Sequence, residues 1–177
     1  MLIALGVVAV IVVALVIIMT MAASKPDTFR VERTATIKAD PGKVFSSIND
    51  FHNWAAWSPF EKLDPNMQTT FSGAASGKGA VYEWKGNSKA GAGRMEILES
   101  TAPSKIVIKL DFLKPFEGHN TSEFTMSPRG NTTEVSWAVY GPSPSMMKIM
   151  HVFMNMDQMM GKDFETGLAS LKTVSER

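Results

Sequence analysis

Asp50 and His52 stand two residues apart in an aromatic-rich stretch, and an Asp beside a His is a minimal pair for moving a proton. The same Asp has a simpler use: ahead of a helical turn it accepts a backbone N–H and caps it. The other histidines, His119 and His151, fall in separate predicted elements, and no HExxH or other close pair occurs. A metal would need the fold to gather distant ligands, so none is expected. The chain has no cysteine, which excludes disulfides, thiolate metal sites and thiol nucleophiles. No GxSxG turn, Walker loop or dinucleotide fingerprint is present, and no cofactor is expected. Glu83, Glu96, Glu123 and Glu134 lie within predicted strands. Facing outward they are solvated; one turned inward would be a polar anchor for a ligand or a catalytic acid.

The aromatic and methionine side chains point to a different chemistry, the capture of an apolar molecule. Ten aromatics, from Trp54 to Phe164, are candidates to line one cavity or to fill one core. Of 13 methionines, seven crowd between Met146 and Met160. Methionine is flexible and polarizable, suited to gap-filling and to adaptable pockets alike. The candidate ligand-binding set is Trp54, Trp57, Tyr82, Trp84, Phe112, Trp137, Met156, Met160 and Phe164.

These residues need elements to position them. Phe29 to Lys38 alternates at strand period, with Phe29, Val31, Arg33, Ala35 and Ile37 on one face. Asp40-Pro41 then reads as an N-cap followed by proline at the first helical position, opening a short helix over Pro41–Asn49. Phe51 to Trp57 is a second short helical or irregular piece. Six strands are predicted next, at Met67–Ser72, Ala80–Lys85, Arg94–Ser100, Lys105–Leu113, Gly118–Ser127 and Thr132–Gly141. Gly-rich or turn-like segments separate them, including Pro128 to Asn131, as in an antiparallel meander. Past Pro142 and Pro144 the pattern becomes helical. Met156, Met160, Phe164, Gly167, Leu168, Leu171 and Val174 form one stripe, the buried face of a long closing helix. That helix is the only element long enough to cover the sheet's apolar face.

Residues 1–24 form a separate unit. No charged side chain occurs before Lys25, and the run from Leu2 to Ala23 matches the roughly twenty apolar residues that cross a bilayer. A cleaved signal peptide is the competing reading, with Thr20-Met21-Ala22 as the cleavage site, but it lacks a basic leading segment. Lys25, Arg30 and Arg33 lean towards a cytoplasmic domain, yet two of them belong to a strand, so the side stays open. Residues 25–177 form one soluble domain. The formal net charge of +1 and the absence of a basic run argue against nucleic acid as a partner.

The order of elements, and residues within it, resembles the SRPBCC or START-like superfamily (Bet v 1-like, polyketide cyclase/dehydrase-like). The matching pieces are Ile37 to Pro41 leading to Val44-Phe45, Asn49-Asp50-Phe51, Trp54 to Pro59, and Gly79 to Trp84 with Gly91 to Gly93. Further on come Phe116 to Gly118 and Gly161 to Lys172. The resemblance covers about Thr28 to the C-terminus. It implies an α+β helix-grip fold, a curved antiparallel sheet around a long C-terminal helix. The expected function is a membrane-anchored binding module for a lipid or other hydrophobic small molecule. The alternatives are a cyclase- or hydrolase-like enzyme using the same pocket, and a protein-interaction domain without ligand.

Overall fold

The computed structural model describes residues 2–177, with side chains from residue 6 onward. Met1, the first residue of the expected membrane segment, lies outside the described residues. Helix α1 (Leu2–Ala23) is apolar all round, and its Gly6–Ala23 stretch is long and apolar enough to cross a membrane. Its apolar side chains stand exposed along Val7 to Ile17; only near its end are Ile18 half-buried and Ala22 buried.

Strand β1 (Thr28–Ile37) follows with the expected alternation, Val31 and Ile37 buried on the inner face. Asp40 caps α2 (Pro41–Asn49), its carboxylate accepting from Gly42 N at 2.7 Å, and α2 buries Val44, Phe45 and Ile48. Two 3-10 turns, Phe51–Ala56 and Pro59–Lys62, lead into β2 (Gln68–Gly73), β3 (Ala80–Lys85), β4 (Ala92–Thr101), β5 (Lys105–Lys114), β6 (Gly118–Arg129) and β7 (Thr132–Pro142). All seven strands join one antiparallel sheet in the order β1-β7-β6-β5-β4-β3-β2. Strand β4 begins two residues before the expected Arg94. Strand β6 runs through Pro128, where a turn is expected from sequence. Its pairing with β5 stops at Lys105↔Thr125, so on that side nothing needs the missing N–H of Pro128.

The C-terminal region holds two helices, the second of them beginning at Met156 where the apolar stripe starts. Helix α3 (Ser145–Phe153) packs against α1, and α4 (Met156–Ser175) starts afresh. Asn155 makes the division, its side chain accepting from Gln158 N at 3.1 Å as an N-cap. Helix α4 lies across the sheet and buries Phe164, Leu168 and Leu171. Two glycines let it approach closely. A Cβ on Gly161 would collide with the Arg33 guanidinium, and one on Gly167 would sit 2.7 Å from the Trp137 ring. Arg33 reaches across the α4 backbone there, bonding Glu165 Oε1 at 2.8 Å and both Asp157 carboxylate oxygens at 3.0 Å. This is the α+β helix-grip arrangement.

The register sorts the two ends of the grip. Pairs Thr28↔Pro142, Phe112↔Gly118, Ala92↔Lys114 and Gln68↔Lys85 lie at one end, beside the exit of α1. At the other end Ile37, Val44, Ile48, Ile97, Ile106 and Leu171 close into a core with no exposed area.

Candidate functional site

Between the sheet, the 3-10 turns and α4 lies a cavity of about 470 Å³. Its size is that of small-molecule sites generally. Of the nine candidate residues, eight meet there: Trp54, Tyr82, Trp84, Phe112, Trp137, Met156, Met160 and Phe164. Trp57 does not reach it. That ring is fully buried behind the wall, edge-on to Phe124 and Trp137, and its indole N–H donates to Ser47 O at 3.0 Å.

Strand alternation explains most of the wall. Tyr82 and Trp84 share the inner face of β3, and the Trp84 ring lies over Gly93, its partner on β4. Trp137 stacks on Phe164 with ring centroids 4.4 Å apart. The indole donors are occupied by the protein: Trp54 by Ile48 O at 2.9 Å, Trp84 by Ala90 O at 3.0 Å, and Trp137 by Ser122 Oγ at 3.0 Å. What these rings offer a ligand is therefore apolar surface.

Few polar groups enter. Tyr82 donates its hydroxyl to Glu61 Oε1 at 2.6 Å. Burial, and then the Glu61 carboxylate, raise the Tyr82 phenol far above its ordinary range, so it remains a neutral donor. Ser58 is buried, and its Oγ has no hydrogen-bond partner among the described residues. Asn120 and Ser122 face inward from β6. The alternation of β6 with Phe124 and Met126 already carried the signal for these two. Ser58 and Glu61 sit in irregular turns, where no periodicity reveals direction, and they were not legible.

The proton-moving candidates lie elsewhere. Asp50 Oδ1 accepts from His52 N at 2.9 Å, capping the first 3-10 turn, and lies 2.7 Å from His52 Nδ1. The exposed His52 ring stacks on Phe71 at 4.1 Å, and neither Asp50 nor His52 lines the cavity. His119 belongs to the outer face, 2.8 Å from Asp111. Burial works against the Asp111 charge, but Lys109 and His119 outweigh it and hold the carboxyl below its usual range. His151 is on α3, and among the described residues no group of His, Asp and Glu could hold a metal ion. Glu83, Glu96, Glu123 and Glu134 alternate with buried neighbours and point away from the cavity.

A family model described as polyketide cyclase / dehydrase and lipid transport matches residues 28–176. The chain belongs to this family. The match leaves out α1 and spans every element of the polyketide cyclase/dehydrase and lipid transport domain from β1 to α4. No curated protein matches the sequence. Among solved structures, ginseng major latex-like protein 151 from Panax ginseng superposes with a TM-score of 0.60 at 14% identity, covering 86% of this chain and 100% of its own. A protein of unknown function from Staphylococcus aureus gives 0.63 at 12% identity, over 84% and 94% of the two chains. A protein from Chromobacterium violaceum gives 0.59 at 16% identity, over 86% and 99%. At such identities the likeness speaks for the fold alone.

Proposed function

We propose that this family member is a membrane-tethered binding domain that holds a lipid or other hydrophobic small molecule between the sheet and α4. The observation that carries the reading is the cavity itself, about 470 Å³ with aromatic and methionine walls whose indole donors are already bonded within the protein. Such a wall rewards apolar area and asks for few polar contacts. The apolar helix α1 supports tethering, because Val7 to Ile17 stand exposed and bury well in hydrocarbon. Holding is favoured over conversion by the carboxylates around the cavity. Glu61 already accepts from Tyr82, and Glu117 and Asp163 are solvent-exposed.

Native mass spectrometry of a chain beginning at Pro26, incubated with a total lipid extract, tests this reading. The expected result is a one-to-one adduct that survives removal of excess lipid. A chain that stays folded and never carries an adduct contradicts it.

A further inference from the structure

Helix α1 leaves the apolar stretch at Ala23 and β1 begins at Thr28. The four residues between them span at most about 14 Å when extended. The edge of the domain that holds Thr28 is therefore kept close to whatever surface α1 emerges from. The strand register brings more to that edge. Thr28 pairs with Pro142, so α3 begins beside the exit of α1, and Lys148 on α3 bonds Asp27 of the connection at 2.5 Å. The β5–β6 turn lies at the same end, because Phe112 pairs with Gly118. So does the β3–β4 turn, because Ala92 pairs with Lys114.

That end is where the cavity opens. Phe116 and Glu117 from one turn, Lys89 and Ala90 from the other, and Met147 from α3 all line it, while the opposite end is closed core. Exposed apolar side chains stand on the elements of this end: Phe116, which lines the cavity, and Phe153 of α3 are each 67% exposed, Met146 of α3 63% and Leu113 of β5 56%. Exposed apolar side chains in one region mark a surface that something covers. Lys85 and Lys114, at the ends of β3 and β5, and Lys89 in the β3–β4 turn stand exposed beside them, with Glu117 and Asp64, which accepts from Asn87 N of that turn, as the neighbouring acids. Apolar tips among lysines suit the boundary between acyl chains and anionic headgroups.

We infer that this end of the domain docks on the bilayer in which α1 is embedded. Helix α3 and the Phe116 turn sit in the interface, and the cavity mouth opens directly onto the lipid. The inference rests on α1 spanning the membrane. It adds a direction to the binding site: an apolar ligand passes between bilayer and cavity without crossing water. Helix α3 serves as the interfacial element, held against the end of α1 by packing and by Lys148–Asp27.

The chain has no native cysteine, so a single introduced thiol labels one place. The full chain is reconstituted into vesicles of phosphatidylcholine and phosphatidylglycerol containing a spin-labelled lipid. A fluorophore is attached in turn at Phe116→Cys, Phe153→Cys, Asn131→Cys at the far end, and Val12→Cys within α1. The expected result is strong quenching at position 12, and quenching at 116 and 153 at least twofold greater than at 131. Quenching at 116 and 153 no greater than at 131, with position 12 strongly quenched, overturns the docking and leaves the tether standing. An unquenched position 12 overturns the tether itself, and the docking with it. Positions 116 and 153 shielded from a soluble quencher yet untouched by the spin-labelled lipid assign the face to a protein partner, which also overturns the inference.

Discussion

Arg33 is a charge on the inner face of a strand, and its neighbours explain why it is tolerated there. The guanidinium lies over Gly161, where no side chain competes for the space, and three carboxylate oxygens from Asp157 and Glu165 surround it. The ion pair is half in solvent, so its role is to fix where α4 begins more than to add stability. The hydrogen bond from Arg33 holds the Asp157 carboxyl below its usual range. A carboxylate whose folded pKa is depressed contributes stability above the ordinary carboxylate range, and loses it as pH falls through the folded value. The stability difference between wild type and Asp157→Asn is therefore expected to be present at neutral pH and to close below about pH 4. Thermal unfolding of both proteins across that range measures it; a gap that persists unchanged in acid contradicts the assignment. Alternation alone placed Arg33 among Val31 and Ile37 on the inner face. Its partners, more than 120 positions away, were beyond any local pattern, the nearer of them separated by 124 residues.

At the scale of elements, the grip depends on α4 coming close to the sheet. Gly167 lies under the Trp137 ring, which is 2% exposed and stacked on Phe164. Alanine is the better helix former by about 1 kcal/mol. Its methyl group, however, would meet a ring that has no room to retreat, and overpacking of this kind costs about 1–3 kcal/mol. Gly167→Ala is expected to be destabilised by about 1 kcal/mol net, seen as a lower urea midpoint with an unchanged slope. A raised midpoint would show that the ring yields. The strands and the closing helix were legible because their periods of two and 3.6 are carried by large apolar residues. The stripe from Met156 to Val174 marks α4, but the separate α3 was not legible, because methionines stand on both sides of Asn155 and composition alone does not divide them. Trp57 was misplaced for a related reason: in an irregular turn, composition marks a residue as buried without saying whether it faces the cavity or the core behind it.

The whole molecule joins an apolar helix to a domain whose cavity opens at the end where that helix attaches. The sequence alone made both parts visible. Their relation came only from the strand register, which brings Thr28, Pro142 and the Phe116 turn to one edge. If an apolar ligand sits in the cavity against α4, Met160 is the residue at which to block it. It is a partly buried wall residue on α4, and replacing it with tryptophan fills space while costing about 1–3 kcal/mol. The most direct measurement is a fluorescent acyl-chain probe titrated against the domain beginning at Pro26, wild type beside Met160→Trp, with both shown to be folded by circular dichroism. Saturable one-to-one binding by the wild type is expected, with at least a tenfold weaker Kd for the variant. Equal affinity in the two folded proteins, or no saturable binding by the wild type, would contradict it.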